Sequence, residues 1–210
     1  MAEINHAWAN DMAPTRCALI VIDMQNDFCA PGGYINKVMG KDVGGAAAIC
    51  PALQELVQHA RQASIPVVWI AADYTPDRIP GSMRRKLQQR GITQICCEPG
   101  TWGADWFGVR PLANEAIVVK HNYAGFTGTP LASVLQKLGV STLVFAGVQT
   151  QVCVESTVRE AHALGFTAVV ARDAVGSHSP ALHDASLTTM QFLFAEVMPV
   201  ADIVSAWQSF

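Results

Sequence analysis

The segment TLVFAGVQTQVCVEST, residues 142–157, contains the transition that decides the fold. Its first residues, 142–146, form an apolar run of the length of a buried strand. A helical pattern follows, in which Thr150 is the predicted N-cap and Cys153 falls in the first turn. Free backbone N–H groups and the helix dipole favour a thiolate there and can hold an oxyanion. The segment predicts a strand followed by a nucleophile, although many free cysteines are simply small buried hydrophobes.

Apolar runs of strand length recur along the rest of the chain. They lie at 17–22, 67–72, 116–119, 142–148 and 167–170. Helical patterns lie between them, at about 44–64, 130–138, 151–164 and 180–194. Runs that do not alternate with polar residues are typical of parallel strands covered on both faces. The pattern predicts a single doubly wound α/β domain, with a central five- or six-stranded, mostly parallel sheet and helices on both faces.

The predicted domain covers residues 15–210 and follows an N-terminal extension, residues 1–14. An irregular insertion interrupts the alternation at about 74–107. Its proline, glycine and tryptophan residues suit either a lid over a site or a contact between subunits.

The composition excludes several classes of function. A net charge of −3 gives no basic field for nucleic acid or an anionic membrane. Neither a signal peptide nor an apolar run of about 20 residues is present, so we expect no membrane span. No C-x-x-C pair occurs, which argues against a disulfide framework or a zinc site and favours a reducing cytoplasm. The six cysteines are Cys17, Cys29, Cys50, Cys96, Cys97 and Cys153.

Three chemically active side chains follow three of the predicted strands. Asp23 ends the first strand, Lys120 ends the third and Cys153 follows the fourth. Ligands of parallel sheets bind beyond the carboxyl ends of the strands, so these residues are predicted to meet at one edge. Each has a simpler explanation taken alone, because Asp23 can cap a turn and Lys120 can extend its ammonium to solvent.

Together these groups suit hydrolysis of an amide or ureide C–N bond. Asp23 can take the proton of the Cys153 thiol and later deliver it to the leaving amine, while Lys120 stabilises the thiolate. The backbone at Val148, Gln149 and Cys153 is the candidate oxyanion site. The acyl- or carbamoyl-thioester would then be hydrolysed by water. This chemistry requires no cofactor and no metal.

Three segments carry a resemblance to a known family. IDMQNDF at 22–28, Val119-Lys120 and GVQTQVCV at 147–154 are similar to the signature segments of the isochorismatase-like cysteine hydrolases. The resemblance covers about residues 15–204, and its Asp-Lys-Cys triad maps onto Asp23, Lys120 and Cys153. It implies a non-proline cis peptide at Val148–Gln149 and assembly as a homodimer or homotetramer. Gln149 and Gln151 stand where relatives carry other residues, which leaves the detailed shape of the oxyanion hole open.

The resemblance also favours one branch of the family. Isochorismatases proper lack the cysteine, and nicotinamidases carry an Asp-x-His metal site, whereas this chain has Asp73-Tyr74-Thr75 there. The segments PGGY at 31–34, GTW at 100–102 and YAGFTGTPL at 123–131 are most similar to ureidoacrylate amidohydrolases. A small amide or ureide, of ureidoacrylate or N-carbamoyl type, is therefore the expected substrate.

Aromatic and basic residues near these segments are candidates for substrate binding. The aromatic candidates are Phe28, Trp102, Tyr123 and Phe126, which could flank a planar ureide or simply fill the core. Three arginines of the insertion, Arg78, Arg84 and Arg85, are candidates for binding a carboxylate, although residues 83–90 also resemble a solvated helix face.

Two alternatives belong to other classes. The first is a vinyl-ether or ester hydrolase of the same fold, in which Cys153 is incidental. The second is a non-catalytic interaction protein that binds through the Trp-containing insertion, although a scaffold would not need the full set of Asp23, Lys120 and Cys153.

Overall fold

The apolar runs at 17–22 and 142–148 form the two central strands of the sheet. The computed structural model describes residues 11–210, so most of the predicted N-terminal extension lies outside the described residues. The strands are β1 (Cys17–Ile22), β2 (Val67–Ala72), β3 (Ala116–Lys120), β4 (Thr142–Val148), β5 (Thr167–Gly176) and β6 (Glu196–Met198). All neighbouring strands are parallel, in the order β3-β2-β1-β4-β5-β6. The predicted parallel α/β sheet is confirmed, with six strands.

Helices occupy most of the connections between strands. They are α1 (Asn26–Cys29), α2 (Tyr34–Lys37), α3 (Gly44–Ala48), α4 (Cys50–Gln62), α5 (Gly81–Gln89), α6 (Leu131–Leu138), α7 (Glu155–Ala163), α8 (Pro180–Leu193) and α9 (Val200–Gln208). In addition, Pro14–Arg16 and Trp102–Ala104 are 3-10 helices and Thr150–Val154 is a π-helix. The single helix predicted at about 44–64 is two helices, because Pro51 lacks an N–H and fits the first turn of α4 better than a helix interior.

The sheet is covered on both faces by apolar side chains. Strand β1 alternates between them: Leu19 and Val21 point to one hydrophobic cluster, Ile20 and Ile22 to the other. The first cluster contains side chains of α4 and α9, and the second contains side chains of α6, α7 and α8. This burial on both faces explains why the strands have no alternating polar residues. Among residues 11–210, no helix combines the length and apolarity needed to cross a bilayer.

The insertion at about 74–107 is ordered and folds over the carboxyl ends of the strands. It contains α5, which includes most of residues 83–90, the segment interpreted from the sequence as a solvated helix face. Trp106 packs edge-on against Trp69 of β2, with ring centroids 5.3 Å apart. Gln25, just after β1, forms an isolated β-bridge with Trp106. The insertion is therefore joined to the same sheet edge at which the functional residues were predicted.

Candidate active site

The predicted triad assembles at the carboxyl end of the sheet. Asp23 follows β1, Lys120 is the last residue of β3, and Cys153 lies in the π-helix after β4. The Lys120 Nζ lies 2.8 Å from Asp23 Oδ2 and 3.5 Å from Cys153 Sγ. Asp23 and Lys120 are fully buried and Cys153 is 3% exposed. Residues that are far apart in sequence thus form one buried cluster of carboxylate, ammonium and thiol.

The backbone between β4 and α7 presents the thiol. The Val148–Gln149 peptide is cis, as the family resemblance implied. The prediction that Thr150 is the N-cap of an α-helix is wrong. Thr150 is the first residue of a π-helix, and its hydroxyl lies 2.9 Å from His183 Nδ1. Cys153 belongs to that π-helix and precedes α7. A wider turn therefore carries Cys153, the candidate nucleophile, in place of the predicted first turn of an α-helix.

The glutamines of this loop have different surroundings. The Gln149 side chain accepts a hydrogen bond from the His178 N–H at 2.8 Å and donates one to the Phe28 carbonyl at 3.5 Å. It therefore connects the loop to the segments after β5 and β1. Both side-chain polar atoms of Gln151 are buried without a hydrogen-bond partner within residues 11–210.

Close approach of β4 to β1 requires glycine at position 147. Gly147 pairs with Ile22 in the parallel register and has a φ of 111°. A Cβ built on Gly147 would collide with the Ile22 carbonyl oxygen, which is backbone and cannot rotate away. The glycine thus brings the end of β4, and with it the Cys153 loop, next to the end of β1 that carries Asp23.

Burial and charge set the protonation states of the cluster. Burial, followed by the Asp23 carboxylate, raises the pKa of Cys153 to about 12, although the Lys120 cation opposes this. Burial also raises the pKa of Asp23, while Lys120 lowers it. For Lys120, burial alone would lower the pKa, but Asp23 and Cys153 raise it above the ordinary value. The resting site is therefore a protonated thiol beside an Asp23–Lys120 ion pair, whereas the helix dipole alone had suggested a thiolate.

Tyr74 is a member of the cluster that the sequence analysis did not select. Its hydroxyl accepts a hydrogen bond from Lys120 Nζ at 2.9 Å and lies 3.7 Å from Cys153 Sγ. The Asn122 carbonyl accepts a second hydrogen bond from Lys120 at 3.1 Å. Together with Asp23, these acceptors fix the direction of the ammonium. Tyr74 lies two residues beyond β2, so its position at a strand end was the available signal.

Two polar residues shortly after Asp23, Gln25 and Asn26, form hydrogen bonds to neighbouring segments of the chain. Gln25 accepts a hydrogen bond from the Ala72 N–H at 2.7 Å and donates to the Ala104 carbonyl at 3.1 Å. Asn26 donates to the Trp102 carbonyl at 2.8 Å. Both side chains therefore join the end of β1 to β2 or to the insertion.

A cavity of about 210 Å³ opens onto Cys153. Phe28 and Tyr123, two of the predicted substrate-binding residues, line it, and Tyr74 packs edge-on against both. The structure does not bring the other two there. Phe126 is buried in the core and stacks on Phe166, whereas Trp102 is half exposed on its 3-10 helix.

The predicted arginines are also outside the cavity. Arg78 forms an ion pair with Asp73 at 3.1 Å, Arg84 donates to the Pro76 carbonyl at 2.7 Å, and Arg85 is exposed. In their place, Lys86 and Arg90 of the same segment line the cavity. Residues 83–90 were interpreted from the sequence as a solvated helix face. Only the folded insertion shows that one side of this segment lines the cavity.

One cluster of potential metal ligands lies near the cavity. The ligand atoms of Asp27, Cys96 and Cys97 are within 4.8 Å of one another. The two Asp27 oxygens accept hydrogen bonds from the backbone N–H groups of Tyr34 at 3.0 Å and Cys97 at 2.6 Å. These bonds alone explain the position of the carboxylate, which joins α2 to the insertion.

Comparison with known proteins places this chain in a family. Residues 17–202 match the family model described as the isochorismatase domain. The chain is 35% identical to a ureidoacrylate amidohydrolase RutB of Methylobacterium radiotolerans, over 92% of this chain and 80% of that protein. It is 34% identical to a ureidoacrylate amidohydrolase RutB of Methylorubrum extorquens, over 91% of this chain and 82% of that protein.

A solved structure supports the same assignment. The crystal structure of a cysteine hydrolase from Pseudomonas syringae pv. phaseolicola 1448A superposes with a TM-score of 0.82 at 28% identity, covering 93% of this chain and 94% of the other. Since the family model matches residues 17–202, which is most of the chain, and the two RutB relatives are 34–35% identical over more than 90% of it, the chain belongs to the isochorismatase family of hydrolases.

Proposed function

We propose that this protein is a cysteine-dependent hydrolase that cleaves a C–N bond of a small amide or ureide through a covalent thioester. The observation that carries the proposal is the buried contact of Lys120 Nζ with both Asp23 and Cys153, at the base of a cavity that is open to a small ligand. A binding scaffold or a hydrolase with an incidental cysteine would not need an ammonium ion in contact with that thiol.

The first half-reaction begins with a protonated thiol. Asp23 accepts the thiol proton as Cys153 Sγ attacks the carbonyl carbon, so that the C–S bond forms and the carbonyl oxygen becomes an oxyanion. The backbone at Val148, Gln149 and Cys153 is the candidate oxyanion site. Asp23 then returns the proton to the departing nitrogen, the C–N bond breaks, and ammonia or an amine leaves.

The second half-reaction regenerates the enzyme. Water attacks the thioester carbonyl and gives its proton to Asp23, the C–S bond breaks, and the proton passes from Asp23 to the Cys153 sulfur. Lys120 keeps its charge throughout, because its raised pKa prevents it from acting as the base. Its positive charge favours the ionised forms of both Asp23 and Cys153, which lowers the energy of the charged intermediates.

A ureide of ureidoacrylate or N-carbamoyl type is the proposed substrate class. Two relatives at 34–35% identity are named ureidoacrylate amidohydrolases. The cavity, at about 210 Å³, is below the several hundred Å³ typical of sites for drug-sized ligands, so it suits a small molecule. Phe28, Tyr74 and Tyr123 give it aromatic walls that complement a planar group.

Ammonia release from a substrate panel tests this function. Chelator-treated protein would be assayed with ureidoacrylate, biuret, N-carbamoyl amino acids, maleamate and nicotinamide. We expect turnover of a ureide, its loss in Cys153→Ala, and its retention in the matched control Cys50→Ala, since Cys50 is outside the cavity. Acid-quenched protein should carry an acyl or carbamoyl adduct on Cys153 by mass spectrometry. Turnover that survives Cys153→Ala would instead support the hydrolase with an incidental cysteine.

A further inference from the structure

The charged side chains of the cavity wall are all of one sign. Lys86 and Arg90 line the cavity, and no carboxylate does so within residues 11–210. His178, another lining residue, has a pKa lowered by burial and is neutral near pH 7. The opposite charges of Asp23 and Lys120, which form an ion pair next to the thiol, cancel each other. The cavity therefore carries two positive charges that the described protein does not neutralise.

The positions of these cations follow from the helical period of α5 and of Arg90, the C-cap residue that ends it. Met83, Lys86, Leu87 and Arg90 have the i, i+3, i+4, i+7 spacing of one helix face, and all of them line the cavity. Met83 is buried, whereas Lys86 and Arg90 are exposed. Neither cation forms a salt bridge with a carboxylate in the described part of the chain. Met83 and Leu87 thus hold this side of the segment against the cavity, while the exposed Lys86 and Arg90 have no ion-pair partner among residues 11–210.

Arg90 is the better placed of the two to bind a ligand. Its charge acts on the hydroxyls of Tyr34 and Tyr123, two other lining residues, and opposes the effect of burial on the pKa of each. Arg90 is exposed whereas Cys153 is 3% exposed, so Arg90 lies at the outer, solvent end of the cavity and the thiol at its inner end. A guanidinium offers the paired N–H donors that suit a carboxylate.

We propose that Arg90, assisted by Lys86, forms a carboxylate subsite at the outer end of the cavity, so that the preferred ureide carries a carboxylate away from its scissile C–N bond. The choice of a ureide rests on the proposed function; the anion subsite itself does not. The subsite disfavours cationic amides, which would meet two like charges, and it orients an anionic ureide with its carbamoyl end toward Cys153.

Paired substrates that differ only in the carboxylate test the subsite. Ammonia release would be measured with 3-ureidoacrylate and with the same ureide bearing a hydroxymethyl group in place of the carboxylate. Arg90→Gln should raise KM for the anionic substrate about tenfold and leave the neutral analogue unchanged. Arg90→Lys should recover part of the loss. Arg85→Gln is the matched control, because Arg85 lies on α5, which ends at Gln89 beside Arg90, but does not line the cavity.

A binding measurement separates failure of the subsite from failure of the proposed chemistry. In a Cys153→Ala background, calorimetry would give the Kd of 3-ureidoacrylate with and without Arg90→Gln. A tenfold weakening of binding by Arg90→Gln, combined with no ammonia release by the protein that retains Cys153, would sustain the subsite and sink the hydrolase proposal. Equal KM and Kd values in Arg90→Gln and Arg85→Gln, or equal preference of the unsubstituted protein for the neutral analogue, would overturn the subsite.

Discussion

At the scale of single residues, the protonation states of the cluster predict a one-sided pH profile. Asp23 must be ionised to accept the thiol proton, and burial raises its pKa above 3.8, so activity should fall with decreasing pH earlier than for an ordinary aspartate. Toward high pH, Lys120 stays protonated and the thiol pKa is about 12. The log of kcat/KM should therefore fall as the pH decreases through the raised pKa of Asp23, and should show no basic limb below the thiol pKa of about 12. A basic limb near pH 8 would contradict these assignments.

Tyr74 should contribute to the rate through Lys120. Tyr74→Phe removes the hydroxyl that accepts the Lys120 hydrogen bond at 2.9 Å and faces Cys153 Sγ. A hydrogen bond to a charged group contributes about 1.5–3 kcal/mol, so kcat should fall roughly ten- to a hundredfold. Tyr34→Phe is the control, since Tyr34 lines the same cavity and its hydroxyl forms no hydrogen bond to the triad within residues 11–210. Equal kcat values for the two variants would remove Tyr74 from the mechanism.

The sequence predicted the triad but only part of the cavity wall, for a physical reason. Asp23, Lys120 and Cys153 sit at the ends of apolar strands, and the geometry of a parallel sheet brings strand ends together whatever the loops do. Lys86 and Arg90 reach the cavity only because α5 folds over the sheet edge. That docking depends on tertiary contacts, which a charged segment with a helical period does not specify.

At the scale of secondary structure elements, the long buried strands could be predicted from the sequence and the short strand β6 could not. The long apolar strands were predicted because burial on both faces leaves a continuous hydrophobic run. Strand β6, Glu196–Met198, has three residues at the sheet edge and is only partly buried, so it has no such signature. The π-helix at Cys153 is likewise invisible in sequence, since its residues fit an α-helical pattern equally well.

The contact between β1 and β4 predicts a steep cost for Gly147→Ala. The added Cβ would meet the Ile22 carbonyl, and a φ of 111° is unfavourable for any L side chain. We expect a loss of about 3 kcal/mol or more in the free energy of unfolding, measured by urea denaturation, with loss of activity. Gly139→Ala is the control: φ is 69° there, but the Cβ meets nothing within 4 Å, so only about 1 kcal/mol should be lost. Similar losses for both variants would show that the strands can separate to admit the Cβ.

At the scale of the whole molecule, exposed apolar side chains predict self-association. Phe192 and Leu193, at the end of α8, are 79% and 62% exposed, and Leu182 on the same helix is 49% exposed. Large apolar side chains with this exposure are typical of protein interfaces. Sedimentation should therefore give at least twice the chain mass of 22.5 kDa, in agreement with the homodimer or homotetramer that the family resemblance implies.

A double variant, Phe192→Glu with Leu193→Glu, should shift the sedimenting species toward the mass of one chain. Phe192 lies nine residues along α8 from His183, which contacts the Cys153 loop through Thr150, so about 14 Å of helix separates the two positions. Unchanged kcat and KM in the dissociated protein would mean that each chain holds a complete site. Loss of activity on dissociation, with the far-UV circular dichroism unchanged, would mean that association supports the catalytic loop through α8. A protein of one-chain mass before any substitution would contradict the prediction of self-association.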